Sequence, residues 1–264
     1  MNRFLETAIK AARIGGKILM DGAANKEGRK INRKQAFDFV TEIDLLSEAA
    51  ILDFIRKRHP DHRILAEESG GVQPDQGYVW IIDPLDGTKN YIHQFPMFGV
   101  SIALSSEGQT VVGAILDPVR NELFHCEKNG GAFLNGQPIQ TSATTDLSSF
   151  LVATGFPFRA KHLSKQYFQA FMELFQHVSD MRRAGAACLD LAYVACGRLD
   201  AFWEVTLNSW DIAAGVLLIE EAGGQVTDIW GGARHMKTGH IVASNRHHHR
   251  HFTDVVGKAF EDLT

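Results

Sequence analysis

The sequence is poor in cysteine, with three in 264 residues: Cys126, Cys188 and Cys196. So sparse a set excludes a disulfide-stapled scaffold and suits a reducing compartment. Cys188 and Cys196 lie in an alanine-rich helical stretch without a second ligand pair, so they read as small core residues. Excess basic charge is missing as well. Lys and Arg number 27 against 31 Asp and Glu, and the net charge of −4 gives no electrostatic case for nucleic acid as the main ligand. No apolar run approaches the roughly eighteen residues that a membrane span needs. The opening stretch MNRFLETAIKAARIGG carries charges of both signs through its apolar stripe, unlike a secretory signal. A cytoplasmic location is expected. Repeats are absent, and the one biased segment, RHHHRH at 246–251, reads as a solvated basic loop.

What is present is ordinary for a soluble globular chain: 45% hydrophobic and 22% charged residues. A chain of this length buries most of the surface its unfolded form exposes and needs no disulfide to fold. It forms either one large domain or two tightly joined halves. Phe4, Leu5, Ala8, Ile9, Ala12, Gly15, Ile18 and Leu19 recur at helical spacing over 2–20. The polar stretch DGAANKEGRKINRKQ follows as a mobile loop or short hairpin, then a helix from Thr41 to about Arg58, closed by Pro60. Strands are expected in RILAEES, YVWIID, FGVSIALSS, TVVGAILDP and ELFHCE, the last three as an antiparallel meander, with a hairpin at Asn135-Gly136. Near residue 150 the texture changes. FLVATGF reads as a strand, KQYFQAFMELFQHV as a helix, and the stretch 180–204 as a helix followed by a strand. WDIAAGVLLIEEAGG is a helix ended by glycine, QVTDIW and HIVASN are strands, and the segment 250–263 is a last helix. The expectation is an α+β half over 1–145 and an α/β half over 146–264, sharing an interface.

Acids mark the ends of these apolar elements: Glu67 and Glu68 in AEES, Asp83 and Asp86 in DPLDGT, and Asp211 in WDIAAG. Open α/β sheets place ligands at such ends. Pro84 stops the strand ladder, so the chain turns and two carboxylates three residues apart can face one point. Gly87 permits close backbone approach, and Thr88 adds a hydroxyl. Taken singly, each acid has a plainer reading. Asp211 can cap its helix, Asp83 and Asp86 can be turn formers, and Glu67 and Glu68 exposed loop charges. If Glu67, Asp83, Asp86 and Asp211 converge, however, their like charges raise one another's pKa, and two divalent cations would relieve the repulsion. An all-oxygen ligand set favours Mg²⁺, with Mn²⁺ as a substitute, and Mg²⁺ favours phosphoryl chemistry.

WIIDPLDGTKNYIHQFP resembles the first signature of the inositol monophosphatase family, and WDIAAGVLLIEEAGGQVTD resembles the second. The likeness runs from the first helix to HIVASN; Tyr91 stands where phenylalanine is usual. The resemblance implies a five-layer αβαβα sandwich of the inositol monophosphatase and fructose-1,6-bisphosphatase type, usually a homodimer, that hydrolyses phosphate monoesters with Mg²⁺ and is lithium-sensitive. It assigns the first metal to Glu67, Asp83 and the Leu85 carbonyl, and the second to Asp83, Asp86 and Asp211. A third, weaker ion goes to the Glu67 position. It gives the backbone N–H groups of Gly87 and Thr88 to the phosphate, and assigns the alcohol half to Gly185, Ala187, Glu204 and Asp211. Arg182 matches a position implicated in substrate binding, although the Arg182-Arg183 pair also reads as a surface ion-pair site, and Glu204 as a strand-end surface acid. Asp44, in TEID, reads as part of a capping box. The family instead pairs it with the threonine of DGT to orient the attacking water, and both roles are expected to coexist only if the carboxylate turns away from Thr41. No serine or cysteine lies in a triad-like or activated-thiol motif. Relatives with this metal motif act on fructose 1,6-bisphosphate, phosphoadenosine phosphate or histidinol phosphate; Asn90, after DGTK, favours the inositol branch. Other bacterial relatives resemble partners of the transcription or RNA-processing machinery.

Overall fold

Helix α1 (Arg3–Ala24) buries Leu5, Ala8, Ala12 and Leu19, the stripe that its periodicity marks. A computed structural model describes residues 2–24, 31–35, 38–73 and 75–263. Of the polar stretch after α1, residues 25–30 lie outside the described residues. The remainder enters a hairpin of β1 (Ile31–Gln35) and β2 (Asp38–Thr41). Helix α2 (Glu42–Arg58) packs on α1.

The next segments are β3 (Arg63–Ala66), β4 (Gly70–Gly71), β5 (Tyr78–Asp86), the short helix α3 (Thr88–Ile92), β6 (Gly99–Ser106), β7 (Gln109–Asp117), β8 (Glu122–Glu127), β9 (Ala132–Leu134) and β10 (Gln137–Ile139). They build one eight-stranded sheet in the order β10-β9-β8-β7-β6-β5-β3-β4. The β6-β7-β8 meander is antiparallel, and β3 runs parallel to β5. The second sheet takes β11 (Leu151–Thr154), β12 (Asp180–Arg182), β13 (Ala201–Glu204), β14 (Gln225–Thr227) and β15 (Ile241–Ser244) in the order β12-β11-β13-β15-β14. Strand β12 was not expected: residues 180–182 pair parallel with β11 before helix α5 (Ala187–Ala195) begins. The helices around this sheet are α4 (Ser164–Phe175), α6 (Ser209–Glu221), α7 (His235–Thr238) and α8 (His249–Ala259).

Three apolar cores separate five layers. Period-two alternation along β5 sends Trp80 and Ile82 toward α1 and α2, and Val79 and Ile81 toward α5 and α6. The second core joins α5 and α6 to both sheets, and the third packs α4 and α8 on the outer face of the second sheet. Each large side chain fully buried here, such as Trp80 or Trp203, contributes about 1.5–3 kcal/mol. Helix α6 lacks an amphipathic stripe because it is walled in on all sides, with Asp211 through Ile219 all buried.

One reading is corrected. RHHHRH is not a solvated loop throughout, because α8 starts at His249 and buries that ring. Its nitrogens lie 2.9 Å from Thr227 Oγ1 and 2.8 Å from Ser244 Oγ. Burial lowers its pKa to about 4, so the ring is neutral near pH 7.

Candidate active site

Strand β5 carries the DPLD turn in its last residues. Asp83 pairs with Ser101 and Asp86 with Gly99, and the register shifts between them where Pro84 offers no N–H. The turn is closed locally. Leu85 N donates to Asp83 Oδ1 at 3.0 Å, and Ser47 Oγ donates to the Pro84 carbonyl at 3.1 Å. Gly87 then takes a left-handed φ of 91°, and a Cβ there would stand 2.9 Å from the Met97 carbonyl.

Glu67 follows the end of β3, the parallel neighbour of β5, and its N–H donates to Ile82 O at 3.1 Å. Asp211 occupies the first turn of α6, where its Oδ2 accepts from Asn208 N at 2.7 Å. The helix-capping and ligand readings of Asp211 are therefore compatible: it caps the helix and lines the cleft. Glu67, Asp83, Leu85, Asp86, Gly87, Thr88, Gly185, Ala187, Glu204 and Asp211 all border one cleft.

Asp44 stands fully buried behind Thr88. Its Oδ2 accepts from Thr41 N at 2.9 Å and from the Thr41 hydroxyl, while Oδ1 accepts from Thr88 Oγ1 at 3.1 Å. The expectation that the carboxylate must turn away from Thr41 is corrected, since its two oxygens serve the two threonines separately. Thr88 Oγ1 also lies 3.2 Å from the Leu85 carbonyl.

The acids perturb one another. Burial, then the charges of Glu67, Asp86 and Asp211, pushes Asp83 well up. Burial raises Asp86 to about 6, although Cys188 N donates to its Oδ2 at 2.7 Å. Burial, with the charges of Asp86 and Glu67, raises Asp211 to about 7. Asp83 Oδ2 is buried with no N–H or hydroxyl donor on it, and the Glu67 carboxyl stands against Asp83. Such acids could hold divalent cations, and their all-oxygen chemistry fits Mg²⁺. Among the described residues no group of three or more His, Cys, Asp or Glu side chains forms a ready-made cage. Mg²⁺ does not demand one, because it keeps several waters and shares the substrate's phosphate. Burial also pushes the Cys188 thiol up, so it stays protonated and is no nucleophile.

Glu204, which also lines the cleft, is buried, and burial followed by the charge of Asp190 raises its pKa well up. Its carboxyl lies against Gly155 so closely that a Cβ at 155 would come 2.0 Å from Glu204 Oε2. Arg182 is not at the cleft. It is half exposed, and its Nη1 donates to Asp180 Oδ2 beside it on β12. Its neighbour Arg183 does line the cleft, 5.3 Å from the Phe156 ring centroid. Lys89, Phe158 and Arg159 also line it and were not singled out from the sequence. Gly155–Arg159 follows the carboxyl end of the parallel strand β11, so the strand-end rule that marked the acids would have reached it. Asn90 ties the first sequence motif to the turn that leads into α5, donating to Met97 O at 2.7 Å and Ala184 O at 2.9 Å.

Residues 1–262 match the model of the inositol monophosphatase family. Nus factor SuhB of Salmonella typhimurium is 47% identical over 246 residues, 93% of this chain and 92% of that protein. Among solved structures, the extragenic suppressor protein suhB of Bartonella henselae superposes with a TM-score of 0.93 at 37% identity, covering 97% of this chain and 99% of that one. An inositol monophosphatase from Anabaena gives 0.86 at 41% identity, over 97% and 95% of the two chains. With its five layers, the placement of its two sequence motifs and a match along nearly its whole length, the chain belongs to the inositol monophosphatase family.

Proposed function

We propose that the chain is a Mg²⁺-dependent phosphate monoester hydrolase acting on a phosphorylated polyol, with inositol 1-phosphate the foremost candidate. The observation that carries this reading is the meeting of Glu67, Asp83, Asp86 and Asp211 at one cleft, with no N–H or hydroxyl donor on Asp83 Oδ2 and the Thr88–Asp44 pair beside them. Glu67, Asp83, Asp86 and the Leu85 carbonyl, from residues 1–145, and Asp211, from residues 146–264, would hold two or three Mg²⁺ ions. Bound there, Mg²⁺ supplies positive charge against the phosphoryl and leaving oxygens and acidifies water. Thr88 commits its hydroxyl proton to Asp44 Oδ1, so an oxygen lone pair is left to accept from water and align it for in-line attack on phosphorus. The N–H groups of Gly87 and Thr88 bind the phosphate. Glu204, the backbone at Gly185 and Ala187, and Asp211 take the polyol hydroxyls, and Arg183, whose charge acts on Glu204, belongs with them. A carboxylate built to accept sugar-like hydroxyls discriminates against leaving groups that lack them. The same reading makes the molecule a cytoplasmic, lithium-sensitive homodimer.

Phosphate release with Mg²⁺ from inositol 1-phosphate, fructose 1,6-bisphosphate, phosphoadenosine phosphate and histidinol phosphate, compared side by side, tests this. Inositol 1-phosphate is expected to lead. A preference of about a hundredfold for the nucleotide would overturn the choice of substrate.

The relatives named Nus factor SuhB favour a second reading, in which this chain is a partner of the transcription or RNA-processing machinery. Asp83→Ala separates the two. Cellular function that survives the change, with RNA polymerase still recovered alongside the protein, supports the partner role, and function lost with phosphatase activity supports the enzyme.

A further inference from the structure

Three cationic side chains line the cleft: Lys89, Arg159 and Arg183. The two arginines act on different acids. Arg183 acts on Glu204 and Asp190, opposing the rise that burial imposes on their carboxyl groups. Arg159 faces the acids at the strand ends. Its Nη2 lies 3.8 Å from Glu67 Oε1, and its charge opposes the burial-driven rise of Asp86 and Asp211.

Arg159 stands between the acids and an aromatic face. The contact with Glu67 is longer than the roughly 2.7–2.9 Å of a charge-assisted hydrogen bond, and the arginine side chain is 32% exposed. Its guanidinium carbon stands 4.9 Å from the Phe158 ring centroid, and Lys89 Nζ stands 3.3 Å from the same centroid. Stacking secures a guanidinium by its flat face and leaves the N–H edge able to change partners. The residue sits in a turn between β11 and α4, outside any helix or strand ladder.

We propose that Arg159 is an exchangeable counter-ion. It neutralises Glu67 and the neighbouring acids while no metal is bound, and it passes to the phosphate once a divalent cation has taken those carboxylates. This rests on the metal-dependent reading above. A guanidinium and a divalent cation compete for Glu67 and repel each other, so filling the site drives the arginine off. A phosphate then offers the paired oxygens that the planar fork fits.

The two halves of this exchange have opposite signs, which a merely structural arginine would not produce. Loss of Arg159 removes a competitor and a repelling charge from the metal, and removes a ligand from the phosphate. Calorimetric titration of Mg²⁺ into the full-length wild type, Arg159→Gln and Arg159→Lys, followed by inorganic phosphate at saturating Mg²⁺, reads both. Arg159→Gln is expected to bind Mg²⁺ about fourfold tighter and phosphate about tenfold more weakly. Arg159→Lys keeps the wild-type metal affinity and loses part of the phosphate affinity, because an ammonium has no fork. Unchanged or weaker metal binding in Arg159→Gln, in a protein whose wild type binds Mg²⁺, overturns the counter-ion role alone, as does unchanged phosphate binding. A wild type that takes up no Mg²⁺ overturns the metal-dependent reading and this inference with it.

Discussion

The backbone N–H of Cys188 donates to Asp86 Oδ2 at 2.7 Å, joining residues 102 positions apart. A carboxylate proposed to bind metal thus also fastens the first residues of α5 to the turn that ends β5.

Asp86→Asn keeps a carbonyl oxygen for that N–H and removes one charge from the crowded cleft. The metal-free variant is expected to unfold about 2–3 °C above the wild type. Its phosphate release falls at least about a hundredfold. Thermal unfolding without divalent ions and a phosphate-release assay check the two halves.

Asp211 gives the metal-free protein an unusual pH dependence. Its folded pKa of about 7 lies above the ordinary 3.8, so its contribution to stability is full below the lower value and is lost as pH rises through the upper one. Asp211→Asn, which can still accept from Asn208, is expected to match the wild type near pH 4 and to exceed it by on the order of 2 kcal/mol at pH 8. Saturating Mg²⁺ reverses the order, because only the wild type gains the full binding free energy. Denaturant titrations at both pH values, with and without Mg²⁺, test this.

Thr88→Ala removes the hydroxyl that Asp44 orients. The expected outcome is a fall in kcat of about a hundred- to a thousandfold with Mg²⁺ affinity unchanged, while Thr88→Ser retains most of the rate. Asp44→Asn reaches further. It disturbs the Thr41 cap of α2 as well and costs about 1 kcal/mol of stability.

Gly155→Ala places a Cβ where the Glu204 carboxyl lies. Glu204 must move, so KM for a polyol phosphate is expected to rise about tenfold while Mg²⁺ affinity stays put. Overpacking lowers stability by about 1–3 kcal/mol. A variant with both constants unchanged would mean that Glu204 does not read the polyol.

Much of the architecture was legible because the apolar periods of α1 and of the β6-β7-β8 meander follow burial on a regular lattice. The acids were legible because each interrupts an apolar run. What escaped notice lacks either signal. Strand β12 is three residues long, with no buried residue to mark it. Arg182 and Arg183 are adjacent in sequence, and only the turn into α5 decides which one reaches the cleft. Asp44 and Asp211 posed a different difficulty, since each caps a helix and also reaches Thr88 or the cleft. A carboxylate has two oxygens, and the sequence does not say that each can have its own task.

Helix α6 fills the layer between the two sheets and carries Asp211 at its first turn, whereas Glu67, Asp83 and Asp86 ride on or beside the eight-stranded sheet. The thickness of that middle layer therefore fixes one member of the quartet against the other three. A bulkier apolar residue deep in the layer, far from any ligand, would shift Asp211 bodily, and the injury would surface as altered ion affinity before it surfaced as unfolding.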